Sequence, residues 1–553
     1  PALAAAGMDM GTRLSGIIAL FFINTFYQCS GFVGCNQRGL VRPLSSMHVV
    51  FGGGSQNAPA PCEDMCSWLL ESGATINGIE VGVEGGGYGL KTSKSVKKGD
   101  ILLELKPQSL LTYGVGSSKK EGILIEAINE VPEELWSARL GLKLLAERTN
   151  PDSDYWPYVR QLPAAFGGVP LFFSPEEVEA LQYPPLQAQV RKRGLFLNDF
   201  AKDTLPKYSE AFNGVSLDIN ALGWAMTAVS SRAFRLGGPG RPAALLPLAD
   251  MANHDAAAKN AEVVRTEGGG AALRAARDLA PGAALALDYG ALPNDFFLLD
   301  YGFVVPDNPH DYAELGFSPG LFWTAQLVAG VLPDEDAAAA AAERPLERWQ
   351  AERLEGLGLT GPGASVRLFR DGVEGRLLAA ARVLCADAAP AGTEGGGGGV
   401  AAATLAELQD PAHRVDPAVE ARAARSLVGA CLFALGAFPT TIEQDERALR
   451  DTPGMGANLR LALAFRLEKK RLLRAAIETL GAKLRSGTAA AVGGSSAAGA
   501  AAAASRSGVE GGDGFRTKKK RAPQRGQAST TTSKGKKKSS SGGGGGSKKG
   551  FGA

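Results

Sequence analysis

An α+β fold is what this sequence predicts: small β-sheets split by a helical insertion, then an all-helical domain, with disordered termini. Three observations carry that expectation. A Gly-rich turn before a strand stands near 85–90, and apolar strand segments that end in polar or aromatic residues lie within 245–303. Between them, from Pro107 to about Leu222, apolar residues recur at three- and four-residue spacing, as in Leu135-Trp136, Leu140 and Leu144-Leu145. From residue 312 to about 486 the chain is rich in Ala, Leu and Arg in the same helical period.

At 553 residues, one core is too small an answer, and two or three domains plus tails are expected. A hydrophobic content of 45% with 21% charged residues suits a globular body. The formal charge of +2 hides an asymmetry: residues 516–553 hold 12 of the 59 Lys and Arg and no acid, leaving 47 basic against 57 acidic residues, a net of −10. The six cysteines, at 29, 35, 62, 66, 385 and 431, are too few for a disulfide scaffold. Cys62-x-x-x-Cys66 could begin a zinc site, but no second close pair completes four ligands, so no metal is expected.

In chain order, residues 1–60 carry a single acid, Asp9, with scattered Arg13, Arg38 and Arg42 among Ser, Gly and Ala, the composition of a transit segment. Leu14 to Asn36 is uncharged, which leaves a membrane anchor as the alternative; Asn24 and Gln28 interrupt it, and no stable membrane association is expected. The globular body begins near Pro61 with a short amphipathic helix around Trp68-Leu69-Leu70. Gly85-Gly86-Gly87 then makes a segment whose backbone a ligand can approach closely. Within the helical stretch, Trp156-Pro157-Tyr158, Leu162-Pro163 and Pro184-Pro185 read as breaks. Leu246-Pro247-Leu248-Ala249-Asp250-Met251-Ala252-Asn253-His254 is an apolar run delivering polar groups at its end. Asp278-Leu279-Ala280-Pro281-Gly282 is turn chemistry leading into an alternating strand from Ala284 to Tyr289. In the last helix, Leu459, Leu463, Leu467, Leu473, Ile477, Leu480 and Leu484 share a face, with Arg466, Lys469, Lys470 and Arg474 off it. Ala386 to Val400 reads as a flexible break in this region, and the chain from 487 to 553 loses apolar periodicity and is expected to be disordered.

Five of these segments, in one order over roughly 400 residues, resemble the SET domain of the plant Rubisco large-subunit lysine methyltransferases and their relatives. They are Gly86-Gly87-Tyr88-Gly89-Leu90 with Val96 to Glu104, Trp224 to Phe234, Leu245 to His254, Leu285 to Phe303, and Thr440-Thr441-Ile442-Glu443-Gln444-Asp445. The resemblance implies a SET domain in two parts, 61–108 and 223–311, around a helical insertion at 109–222, followed by a substrate-binding domain at 312–486. It implies S-adenosyl-L-methionine as cofactor, bound by Gly86, Gly87, Tyr88, Asn253 and His254. Tyr289 takes the catalytic place, Tyr301 shapes the lysine channel, and Arg232 and Asp250 border the substrate. For Arg232 and Asp250 a buried ion pair is an equal reading, because buried charges are usually paired. The partner implied is a protein carrying the acceptor lysine, and the location a chloroplast, in stroma or nucleoid; the basic tail also fits nuclear import.

Methyl transfer to lysine needs a neutral amine held in line with the methyl carbon. A lysine with a reference pKa of about 10.4 is mostly charged at neutral pH, so a site of low polarity beside a cationic sulfonium favours the reactive form. Tyrosine suits this work because it stays neutral while hydrogen-bonding the amine. The chain departs from the family in two places: Gly86-Gly87-Tyr88-Gly89-Leu90 stands for the usual Glu-Gly-Leu-Gly-Leu, which a backbone contact tolerates, and, of more consequence, Ala261 stands near the place of a channel tyrosine. That leaves a second expectation, a weakly active or inactive scaffold similar to the SET-domain protein of the plastid transcription complex.

The tail generates its own test. Lys518-Lys519-Lys520-Arg521 and Lys536-Lys537-Lys538 attract polyphosphate without base readout. DNA affinity of the full chain is expected to fall with salt at a log–log slope of about −0.9 per phosphate contact. A chain ending at Ser486 that binds equally well across salt would make the tail a bystander.

Overall fold

Two groups of short strands flank the helical insertion, and their pairing is what gathers the separated blocks of the sequence into one place. A computed structural model describes residues 62–84, 87–114, 119–236, 243–343, 345–386 and 399–485. The transit expectation for 1–60, the role of Gly86, the 387–398 part of the flexible stretch and the basic tail lie outside them.

Helix α1 (Glu63–Glu71) leads into β1 (Thr75–Ile76), the hairpin β2 (Ile79–Glu84) and β3 (Gly87–Thr92), and β4 (Ile101–Leu105). The insertion carries α2 (Lys119–Asn129), α3 (Trp136–Arg148), the short α4 (Pro175–Glu179) and α5 (Pro184–Asp199), and α6 (Ile219–Arg232) follows. After α6 come β5 (Asn253–His254), β6 (Ala261–Arg265), β7 (Ala271–Ala275) and β8 (Ala286–Leu287). β1, β4, β7 and β6 form one antiparallel sheet in that order, while β5 pairs in parallel with β8. The alternating strand expected from Ala284 to Tyr289 is therefore shorter: only Ala286 and Leu287 are strand, with Ala284 bridged singly to Lys91. Pairing changes partner there, from β3 to β5, and a continuous ladder is not possible across the switch.

The insertion is not a separate body. Leu140, Leu144, Phe212 and Ala225 share a core with Leu102, Leu105, Leu273 and Leu285. Gly141 explains the close approach of α3 to α6: a Cβ there would stand 3.3 Å from the backbone of Ala225 and Met226.

A second core holds 313–480. Its helices include α7 (Pro319–Val328), α8 (Gly375–Cys385), α9 (Pro417–Gly436), α10 (Ile442–Asp451) and α11 (Ala457–Arg485). The expectation of helix throughout needs one amendment, a three-stranded sheet of β9 (Ala313–Gly316), β10 (Ser365–Phe369) and β11 (Gly372–Val373). Val366 and Leu368 are buried while their neighbours are half-buried, a period of two inside a mostly helical sequence.

The last helix corrects the sequence reading more sharply. Arg466, Lys469 and Lys470 lie off the leucine face, yet all three are buried. The reason is that α11 is covered on more than one side. Lys470 donates to Asp445 Oδ2 at 2.6 Å, and Arg466 donates to Asp445 Oδ1 at 2.6 Å. Lys469 reaches the other way, to Asp295, Asp311 and the Tyr312 carbonyl. Thr440 and Thr441 gain a physical role here. Thr441 caps α10 in a reciprocal box with Gln444, and Thr440 Oγ1 donates to Asp445 and accepts from Lys470.

Asp445→Ala would strand two buried cations, and a loss of about 3–5 kcal/mol is expected. Thr441→Ala removes a cap alone and should cost about 1 kcal/mol. Urea unfolding of the two variants against the parent checks the order; equal small shifts would mean that the buried cations find other partners.

Candidate active site

The apolar run into the site does not travel straight. Leu248 adopts φ 70°, ψ −47°, a conformation that costs a branched residue on the order of 1–3 kcal/mol. The kink starts a single 3-10 turn, Ala249–Met251, which aims Asp250 inward before the chain straightens into β5. Asp250 accepts the Tyr158 hydroxyl at 2.8 Å and Arg232 Nη1 at 3.4 Å, with its side chain 1% exposed. Arg232 and Asp250 form an ion pair in which the Asp250 side chain is buried. Burial pushes the Asp250 carboxyl up, against Arg232 and Tyr158, which pull it down. Tyr158, whose phenol burial holds well above the ordinary range, was legible in the sequence only as part of a break.

β5 and β8 run side by side, Asn253 opposite Ala286 and His254 opposite Leu287. Asn260 ties the ladder down: its amide donates to the Ala284 carbonyl and accepts from Ala286 N, both within 2.9 Å. Two residues past β8, Tyr289 N donates to His254 Nδ1 at 3.1 Å, and the Tyr289 hydroxyl donates to the Ala252 carbonyl at 2.8 Å. Tyr289 is thus pinned at both ends. Burial raises its phenol to about 12, with Arg232 pulling the other way, so the ring is neutral at physiological pH.

Tyr301 arrives from a widened helical turn, Phe297–Tyr301, closed by Gly302 at φ 80°. Its ring stacks on Tyr289 at 5.1 Å between centroids. Phe297 lies 4.9 Å from His254 and 6.0 Å from Tyr301, and Phe303 lies 5.0 Å from Phe297. Tyr289, Tyr301, Asn253 and His254 are therefore brought together from three short segments, and Phe297 and Phe303 join them. Phe297 carried no signal beyond its helical spacing of four to Tyr301, and Phe303 sat in a recognised block without a role.

His254 belongs to two surroundings. It stacks with the rings and also lines a cleft of about 360 Å³ with Asn253, Asp255, Asn260, Arg277 and Ala283 to Ala286. That volume is within the range of small-molecule sites. Tyr88 is 51% exposed, and β3 runs antiparallel to 283–285 through Thr92 N to the Ala283 carbonyl and Leu285 N to the Leu90 carbonyl. The Gly87 end of β3 therefore heads toward Leu287–Asp288, the same corner. Ala261 is fully buried opposite Ala275 and belongs to the main core, against which Tyr289 also packs. Among the described residues no cluster of His, Cys, Asp and Glu could hold a metal ion, and no helix is long and apolar enough to cross a membrane.

With that geometry in hand, residues 87–290 match the model of the SET domain, and residues 341–473 match that of the Rubisco LSMT substrate-binding domain. The fold matches a crystal structure of the SET domain of LSMT bound to methyl-lysine and AdoHcy, with a TM-score of 0.58 at 19% identity over 78% of this chain and 93% of that one. A structure of Rubisco LSMT bound to AdoMet gives 0.56 at 20% identity, over 78% and 93%. Among curated proteins, an actin-histidine N-methyltransferase of Danio rerio is 28% identical over 46% of this chain and 45% of its own length. That of Rattus norvegicus is 25% identical over 75% and 67%. The chain spans less than half the length of the zebrafish relative. It carries a SET domain followed by a helical Rubisco LSMT-type substrate-binding domain.

The His254 bond generates a pH test. Nδ1 accepts a proton-bearing amide only while the imidazole is neutral, and burial lowers its pKa against the pull of Asp288 and Asp255. A lowered value means that the unfolded chain binds the proton first, so this contribution is complete above about pH 6.5 and fades as pH falls below it. The stability advantage of the parent over His254→Gln, read from urea melts at pH 7.5 and pH 5, is expected to shrink on acidification. Parallel losses would show that the imidazole is not held neutral.

Proposed function

We propose that this chain is an S-adenosyl-L-methionine-dependent protein N-methyltransferase whose acceptor is a lysine side chain. The observation that carries the proposal is the double anchoring of Tyr289. Its single hydroxyl proton is given to the Ala252 carbonyl, so the phenol oxygen has only lone pairs left to offer. It can accept an N–H from a neutral amine, which turns that amine's own lone pair elsewhere. The ring faces of Tyr289, Tyr301 and Phe297 suit an aliphatic chain that ends in nitrogen, charged on entry.

The cofactor fits the cleft on its donor set. Arg277 and the Asn253 amide suit a carboxylate, Asp255 suits an ammonium, and the volume suits a molecule of that size. S-adenosylmethionine would supply an electrophilic methyl group and a positive charge that disfavours protonation of the neighbouring amine. Gly86, Gly87 and Tyr88 are the proposed backbone side of that site, approaching from β3. The protein itself holds the acceptor between apolar rings, keeps Tyr289 neutral, and keeps Arg232 paired with Asp250 behind it.

One of the LSMT structures is bound to methyl-lysine and the curated relatives are named for histidine, so the methylated residue is the first thing to measure. Labelled cofactor, protein extract and amino-acid analysis of the product are expected to give methyl-lysine; methyl-histidine would move the acceptor to the relatives' chemistry. Tyr289→Phe keeps the ring and should cost only about 1 kcal/mol of stability, while turnover falls on the order of 10²-fold. A parent protein that shows a cofactor-dependent thermal shift yet labels nothing would favour the scaffold reading.

The proposed setting is a plastid, with a plastid protein as substrate, supported by the acid-poor composition of residues 1–60. Immunolocalisation of the native protein should find it in plastids, and its retention in the cytosol or nucleus would refute the setting without touching the chemistry.

A further inference from the structure

The wall of rings is built on a segment held at both ends from elsewhere in the molecule. Phe297, Tyr301 and Phe303 lie on the stretch that starts at Asn294, and Asn294 is fully buried. Its backbone N–H donates to Asp311 Oδ1 at 3.0 Å, its amide donates to Asp311 Oδ2 at 3.2 Å and to the Val305 carbonyl, and its own oxygen accepts from Val305 N. Asp311 therefore fixes the start of the turn. What fixes Asp311 is Lys469, from the second core: its ammonium, 0% exposed, donates to Asp311 Oδ1 at 2.7 Å, to the Tyr312 carbonyl at 2.6 Å, and to Asp295. All three of its protons are used.

The other end of the segment also leans on α11. Gly302 abuts Gly168 so closely that a Cβ on Gly168 would stand 2.5 Å from the Gly302 oxygen and 2.9 Å from Leu461 Cδ1. Asn458 of the same helix accepts the Gly168 N–H at 3.1 Å. Between these two anchorages the turn carries Phe297 and Tyr301 against His254 and Tyr289.

We propose that Lys469 is a positioning residue for methyl transfer: through Asp311 and Asp295 it sets the turn that places Phe297 and Tyr301 against Tyr289, so the second domain holds the acceptor side of the site in register. This rests on the methyltransferase reading above. A lysine buried in a helix could instead be a strut for stability alone. The two differ in where a defect appears, because a strut weakens the whole protein whereas a positioning residue releases one segment and misplaces rings by a fraction of an ångström to an ångström, which is enough to cost up to about 10²-fold in rate.

The test uses the full chain and the double variant Lys469→Met with Asp295→Asn. One positive and one negative charge leave together, so the buried site keeps its net charge and Asp311 keeps its bonds to Asn294. Amide hydrogen exchange is read first, because it needs no activity. The peptides spanning 294–303 are expected to exchange at least about tenfold faster than in the parent, while those of β6 and β7 stay unchanged. Turnover is then expected to fall about tenfold or more, with the S-adenosylmethionine-induced thermal shift and the KM for cofactor held within about twofold. Parent-like exchange over 294–303, or acceleration spread evenly over the chain, would overturn the proposal. So would unchanged turnover in a variant with the local acceleration. If Lys469→Met with Asp295→Asn does not fold, Asp295→Ala alone removes one of the three Lys469 contacts, leaves Lys469 paired with Asp311, and is read by the same local exchange, where no change again overturns the idea. Absence of any methyl transfer by the parent would count against the methyltransferase reading, and the exchange result would still decide whether Lys469 sets the turn.

Discussion

Parallel pairing of two-residue strands is the constraint on which the candidate site depends. Asn253–His254 and Ala286–Leu287 lie about thirty residues apart, and neither could hold a strand by itself. They are held because Asn260 bridges the end of the connector to Ala284 and Ala286, and because the sheet of β6 and β7 folds the connector back. Once that pairing exists, the backbone of Tyr289 falls beside His254 and its phenol beside the Ala252 carbonyl. Every further feature, from the ring stack to the cleft, is placed relative to those two bonds.

Buried charge around the site follows one logic throughout. Arg232 is paired with Asp250, Arg466 and Lys470 with Asp445, and Lys469 with Asp295 and Asp311. Replacing such pairs with apolar residues is often neutral for stability, so stability alone does not explain their retention. What they give here is direction: each cation has a defined set of oxygens on a different segment, and satisfying all of them admits one arrangement. Burial, with Asp311 beside it, raises the Asp295 carboxyl to about 6 against the pull of Lys469.

The same arrangement relates the two halves of the chain. α11 contributes Leu472, Ala476 and Leu480 to the second core, yet its buried cations and Asn458 address residues from the insertion and from the turn that carries Tyr301. Ala462 and Phe465 complete a small third core with Leu186, Leu298 and Leu299. A helix that by periodicity is the amphipathic wall of one domain is in fact shared by two.

The sequence by itself determined the alternation of strands and helices, the buried run ahead of Asn253, the turn chemistry at 278–282, and the pair of tyrosines that meet at the site. These are local signals, set by period, turn residues and apolar runs. It also brought Asn253, His254, Tyr289 and Tyr301 forward as one set through the resemblance of ordered blocks. Tertiary structure alone decided which partners those residues have. That Lys469 is buried, that Tyr158 serves Asp250, that Ala261 sits fully inside a core, and that Phe297 and Phe303 close the stack all depend on contacts between residues remote in sequence. A side chain's burial is fixed by what covers it, and for these positions the cover comes from another segment of the chain, which no spacing within a helix or strand can show.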